Sequence, residues 1–183
     1  TLTEPTPLQT STTTTDYNGY EVSCNGYSDG GIDLTVSGSV PAYTYFWNTG
    51  SITQDIDSLS ANYYEVFVSD INNCFIYDAI TLTQPTLLQA TTITIDYNGY
   101  QVSCHGYSDG GIDLTVSGSV PGYNYLWDNG AITQDIANLT IGTYMVDITD
   151  LNSCTTSTSI TLTEPTPLLL EFYSPTDISC NGY

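Results

Sequence analysis

Apolar and polar residues alternate along this chain with a period of two. Ile32, Leu34 and Val36 are interleaved with Asp33, Thr35 and Ser37, and Tyr43, Tyr45 and Trp47 follow the same rhythm, as do Tyr64, Val66 and Val68. The pattern returns in Ile112, Leu114 and Val116, then Tyr123, Tyr125 and Trp127, then Tyr144, Val146 and Ile148. Such alternation predicts strands with one face buried, and no stretch carries the stripe of an amphipathic helix. Turn-forming clusters separate the runs: Asn18-Gly19, Asn25-Gly26, Asp29-Gly30-Gly31, Gly38 to Pro41, Asn48 to Gly50 and Asp70 to Asn73. Short strands at this spacing predict a β-sandwich of immunoglobulin-like, Greek-key type, with an up-and-down barrel as the alternative. Trp47 and Trp127 stand where such a sandwich keeps a core Trp on its third strand. Leu139 to Tyr144 has the form of a tyrosine corner; in the first copy Asn62 replaces Gly142 as the residue expected to take a left-handed backbone.

The chain repeats itself. Residues 1–80 and 81–160 align without a gap, and roughly three positions in five are identical, the mark of a repeat architecture. A third copy opens at Thr161 and reaches Cys180-Asn-Gly-Tyr183. The expected organisation is a sandwich over 1–87, a second over 88–167, and the first strand of a third over 168–183, which a neighbouring molecule's sheet would otherwise receive. The repeats are expected to follow one another as a rod, as an internal segment of a longer mature protein. Cores of this size are marginal alone and call for reinforcement.

Charge narrows the function. The chain has no Lys or Arg against 20 acidic side chains. It has nothing with which to neutralise phosphates, so nucleic acid and anionic membrane surfaces are poor partners. The acidity serves either solubility through mutual repulsion or work in a medium where divalent cations screen it. The 16 Tyr and 2 Trp argue for packed cores over disorder. No stretch is apolar and long enough for a membrane-spanning helix, so no direct membrane insertion is expected.

The string Val22-Ser-Cys-Asn-Gly-Tyr-Ser-Asp-Gly-Gly-Ile-Asp-Leu-Thr-Val-Ser-Gly38, followed by Pro-x-Tyr-x-Tyr-x-Trp47 and Asp70-x-Asn-x-Cys74, resembles the SprB-type repeat of Bacteroidota cell-surface adhesins. The resemblance covers both copies nearly end to end. It implies an extracellular, stalk-like protein on a bacterial cell surface, with no catalytic residues to carry over. The lack of basic residues and the Thr-rich entry to the first copy depart from the family pattern. They leave open whether the parent protein is a motile adhesin or a static fibre.

Cys24 and Cys74 recur as Cys104 and Cys154, and Cys180 repeats the Cys24 position. Regular cysteines in a small secreted repeat point to disulfides. Zinc is disfavoured by the single His and the absence of Cys-x-x-Cys. Pairing within a copy, Cys24 to Cys74 and Cys104 to Cys154, meets a difficulty. Cys24 follows the first strand and Cys74 opens the last one, so the two are expected at opposite ends of the sandwich. A strand of seven residues spans about 23 Å, whereas bridged Cα atoms lie about 4–7 Å apart. In a rod, one unit's exit end abuts the last hairpin turn of the next. That arrangement favours a staple from Cys24 to Cys154, with Cys74 reaching a preceding unit and Cys104 and Cys180 following ones. Free buried thiols are the remaining alternative.

The other candidate chemistry is sparse. Nucleophilic catalysis needs a base, and the one His, His105, is replaced by Asn25 in the sister copy. No enzymatic activity is therefore expected. Asp70 and Asn72, with Asp150 and Asn152, supply hard oxygens in a tight turn, half of a calcium loop, and calcium is the one cofactor to consider; an Asx-turn explains the same residues. Thr12, Thr13 and Thr14, in a β-branched polar run, are candidates for O-glycosylation. Ser58, in Asp57-Ser58-Leu59, resembles the acceptor used in Bacteroidota. Tyr17, Tyr20 and Tyr27, repeated as Tyr97, Tyr100 and Tyr107, offer either packing between adjacent units or a platform for surface glycans. The expected partners are other repeats of the same chain or identical chains, and surface glycans. The expected role is a structural and adhesive repeat segment. A self-assembling fibre subunit and a glycan-binding module are the competing readings.

Overall fold

A computed structural model describes residues 4–171. The first repeat forms β1 (Gln9–Thr14), β2 (Gly30–Ser37), β3 (Thr44–Trp47), β4 (Ile56–Leu59), β5 (Tyr63–Ser69) and β6 (Phe75–Thr81). The second forms β7 (Gln89–Thr94), β8 (Gly110–Ser117), β9 (Asn124–Trp127), β10 (Ile136–Leu139), β11 (Gly142–Thr149) and β12 (Thr155–Leu162). No helix occurs among the described residues. In the first unit β1-β2-β4 faces β3-β5-β6, and in the second β7-β8-β10 faces β9-β11-β12, every pairing antiparallel. The order is that of an immunoglobulin-like sandwich with six strands. The chain crosses between sheets after the second, third and fourth strands, so neither unit is an up-and-down barrel. Each sheet draws its strands from one unit only.

The alternating residues fill the two cores. Ile32, Leu34, Trp47, Tyr64, Val66 and Val68 are buried in the first, with Val36, Tyr43 and Tyr45 packed at its margin. Ile112, Leu114, Trp127, Val146 and Ile148 do the same in the second, with Tyr144 at the margin. Each indole N–H donates to a backbone carbonyl, Trp47 to Thr53 and Trp127 to Thr133, both at 2.9 Å. This satisfies the one polar group that burying a Trp would otherwise strand. Tyr64 and Tyr144 donate through their hydroxyls to the carbonyls of Ser60 and Thr140 four residues upstream, the expected corner. Asn62 is not among the residues with a left-handed backbone. Its Oδ1 accepts the N–H of Tyr63 instead, a local Asx bond that needs no positive φ.

Side chains extend the ladder where β4 and β10 stop short. The Asp55 carboxylate accepts the N–H of Leu34 at 2.9 Å, and the Gln54 amide donates to the Leu34 carbonyl at 2.6 Å. Asp135 and Gln134 repeat this on Leu114 at 2.9 and 2.5 Å. Ile-Thr-Gln-Asp-Ile is therefore identical in the two units for a backbone reason: it stands in for missing strand partners.

The third-repeat expectation falls mostly outside the described residues, including Cys180. Residues 168–171 lie in no strand, and Leu168, Leu169 and Leu170 are exposed.

Candidate functional site

Fifteen or so residues separate the first two strands of each unit, and this long loop is the main element at the junction. It is built from within. Asn18 and Gly19 turn the chain with positive φ, and Tyr17 N–H donates to the Tyr20 carbonyl at 2.7 Å. The Asp29 carboxylate accepts both the N–H and the hydroxyl of Ser23, at 3.1 and 2.5 Å. Val22, fully buried, donates its N–H to Thr83 on the segment leaving β6. Glu21 accepts the N–H and hydroxyl of Thr83, and Asn25 donates to the Pro85 carbonyl. The loop is thus zipped to the linker that enters the second unit.

The last hairpin turn of each unit is organised by one buried aspartate. Asp70 Oδ1 accepts the N–H groups of Asn72 and Cys74, at 2.9 and 2.7 Å, while Oδ2 accepts the Ser39 hydroxyl at 2.6 Å. Donation from Ser39, reinforced by these backbone donors, holds the Asp70 carboxyl below the usual carboxylate range. Asp150 takes the N–H groups of Cys154 and Val120 and the hydroxyl of Ser119. These carboxylates are occupied by internal donors, as in an Asx-turn. No group of three or more His, Cys, Asp or Glu placed to share a metal ion occurs among the described residues.

The loop of unit one and the last turn of unit two meet. Cys24 and Cys154 form a disulfide with Cα atoms 5.7 Å apart, and both are buried. Asn152 fastens the contact: its amide N–H groups donate to the carbonyls of Tyr17 at 3.1 Å and Ser23 at 3.0 Å. Its Oδ1 in turn accepts from Asn18 Nδ2 at 2.5 Å. All three side-chain valences that matter are used across the joint, which makes Asn152 a register pin as well as a contact. Sequence reasoning took Asn72 and Asn152 only as hard-oxygen donors and missed this role. Their identity between a shared Asp and a shared Cys, in turns that differ at the other two positions, was the available signal.

The remaining candidates scatter. Cys74 and Cys104 are exposed and have no disulfide partner among the described residues. Tyr17 and Tyr20 are half-buried, and Tyr27, Tyr100 and Tyr107 are exposed. The Tyr17 and Tyr97 hydroxyls point back into their own loops, onto the Asp29 and Asp109 carbonyls. The six tyrosines therefore belong to two separate loops instead of one platform. Thr12 is half-buried and Thr13 and Thr14 exposed on the edge strand β1; Ser58 is exposed at a left-handed position in β4. His105 Nδ1 lies 2.5 Å from Glu164 Oε1, bracing the second loop against its linker.

One cluster went unread in the sequence. Phe67, Phe75 and Tyr77 stack on the outer face of β5 and β6 with ring centroids 5.0–5.9 Å apart. Phe46 flanks them, lining a shallow groove with Asn48, Glu65, Phe67 and Tyr77. The period-two pattern assigned these positions to solvent, and in unit two they are Leu126, Asp147, Thr155 and Ser157.

Comparison with known proteins gives three findings. The SprB repeat family matches residues 20–63 and 92–132, one stretch in each unit. None of the curated proteins compared with the chain matches it. Among solved structures, an amphioxus IgVJ-C2 molecule is similar at 19% identity and a TM-score of 0.33, covering 68% of this chain and 90% of that one.

Proposed function

Starting from a chain that carries two SprB-type repeats, we propose that it is a structural and adhesive segment of a secreted bacterial surface stalk or fibre. Its mechanical element is the disulfide between repeats. The observation that carries this reading is that Cys24 bonds to Cys154 and not to Cys74 of its own unit. A bond within a unit would stabilise one core. A bond across the joint, pinned by Asn152, removes the freedom of one unit to swing on the other, and so turns beads into a stiff spacer. Extracellular placement follows from the family resemblance and agrees with a stable disulfide, which oxidising compartments allow. Catalysis is not part of the role.

Small-angle scattering tests this. The oxidised chain should give one extended shape consistent with about 35–45 Å per unit, and reduction or Cys24→Ser should broaden the distribution of interunit angles. Equal breadth before and after reduction would defeat the mechanical reading.

The adhesive component has its own support in the aromatic face of unit one, since exposed stacked rings are unusual on a monomer surface and mark binding faces. Screening against a glycan array, with Phe67→Ala plus Tyr77→Ala as control, reads that component separately from stiffness.

A further inference from the structure

The parts that close the junction occur a second time in this chain, and among the described residues they meet no partner. At the end of unit one away from the joint, the β5–β6 turn presents Asn72 and Cys74, both exposed, whereas Asn152 is half-buried and Cys154 buried. At the end of unit two away from the joint, the β7–β8 loop presents Asn98 and Cys104, exposed, where Cys24 is buried; Ser103 is half-buried where Ser23 is buried. Both halves already have the shape of their engaged counterparts. Tyr97 N–H donates to Tyr100 at 2.7 Å, as Tyr17 does to Tyr20. Tyr107 N–H donates to Cys104 at 3.1 Å, as Tyr27 does to Cys24. The Asp109 carboxylate holds Ser103 as Asp29 holds Ser23. On the other half, Asp70 N–H donates to Cys74 at 2.9 Å, and Asp150 N–H to Cys154 at 3.0 Å. A groove of about 370 Å³, lined by Cys104, His105, Pro165, Thr166, Pro167 and Leu168, lies open beside the free loop.

From these matching halves we infer that a second copy of this chain docks here, head to tail. The incoming Asn72 amide donates to the Tyr97 and Ser103 carbonyls and accepts from Asn98, and Cys74 closes a disulfide with Cys104. The inference rests on the stalk reading and adds the partner and the polarity of its assembly. Asn72 is the positioning residue that sets polarity. Two β7–β8 loops brought together would oppose the Tyr97 and Ser103 carbonyls to one another, and two β5–β6 turns would offer each Asn72 only the other's amide in place of two backbone carbonyls and Asn98. The interface is heterologous, so each addition exposes the same pair of ends and growth stays open. The covalent step is a two-electron oxidation by a small-molecule disulfide. The Cys74 thiolate attacks one sulfur of glutathione disulfide and expels a glutathione thiolate. The Cys104 thiolate then attacks Cys74 of the mixed disulfide and expels the second, and the two thiol protons pass to the departing glutathiones.

The experiment uses the full chain with Cys180→Ser, which leaves Cys74 and Cys104 as its free thiols. It is incubated with glutathione and glutathione disulfide over a range of protein concentrations and mapped by non-reducing mass spectrometry. The expected product is a concentration-dependent ladder whose new cross-link is Cys74–Cys104. Asn72→Ala should lower the equilibrium yield of that link roughly tenfold, the effect of losing the polar contacts at the joint. The Cys24–Cys154 bond and the thermal midpoint should be unchanged in that variant. A statistical mixture of Cys74–Cys74, Cys104–Cys104 and Cys74–Cys104 links would overturn the inference, as would monomers capped only by glutathione, or a ladder indifferent to Asn72→Ala. Scattering from the monomer fraction separates the two readings: stiff monomers without a ladder sink head-to-tail docking alone, and floppy oxidised monomers sink the stalk.

Discussion

At the scale of single residues, two positions show how tightly local geometry is fixed. Gly118 has φ +82°, and a Cβ there would run into the carbonyl of Leu87 on the entering linker. Ser119 N–H then donates to Thr86 at 2.9 Å, so the turn and the linker are one unit of structure. Gly118→Ala combines a disfavoured backbone with a backbone clash, and should cost the second repeat about 2–4 kcal/mol in chemical denaturation. The aspartates that shape the turns make a second, independent statement. Asp70 is held below the usual range chiefly by the Ser39 hydroxyl, and Asp109 chiefly by the Ser103 hydroxyl and N–H. A carboxyl depressed in the folded state stabilises it fully above the unfolded pKa, and that contribution disappears as pH falls through the folded pKa. The thermal midpoint should therefore fall on acidification from about pH 4 downward. Ser39→Ala with Ser103→Ala should flatten that acid limb, and an unchanged slope would remove these two groups from the account.

At the scale of the element, the strands were readable because burial on one face forces a period of two, and nothing else in the chain imitates that signal. The short strands β4 and β10 were not readable as such, because their pairing is completed by Gln54 and Asp55, or Gln134 and Asp135, acting in place of backbone. Gln134→Ala removes the donor to the Leu114 carbonyl while sparing the apolar core. It should lower the urea midpoint of the second unit by the equivalent of about 1 kcal/mol, with Gln54→Ala matching it in the first. The aromatic face of unit one escaped for a related reason. Alternation says which residues point outward, and it is silent on which outward residues touch one another across β5 and β6.

At the scale of the whole molecule, charge and covalent staples work against each other. Each copy of the chain carries a net charge of −20 with no Lys or Arg to offset it, so two copies approaching end to end repel. The contacts at the joint are neutral amides, carbonyls and sulfurs, which suits an interface between strongly acidic bodies. Raising ionic strength from 10 to 150 mM shortens the Debye length from about 30 to about 8 Å, and should speed intermolecular Cys74–Cys104 formation several-fold. The intrachain Cys24–Cys154 bond should be indifferent to salt, because its two units are already tethered.

The sequence by itself determined the sandwich, the repeat, the buried Trp and Tyr positions and the turns. Each of these follows from local rules of alternation, steric freedom and the cost of stranding a polar group. It also favoured Cys154 as the partner of Cys24, since a strand's length keeps Cys24 from Cys74 and a rod sets one unit's exit end against the last turn of the next. Only the tertiary structure decided that Cys24 meets Cys154, that Asn152 pins the joint and that Asp70 and Asp150 divide their oxygens between their own turns and the turn that follows the second strand of each unit. Those facts depend on which loops two separately folded units bring face to face, and no periodicity along one chain encodes that distance.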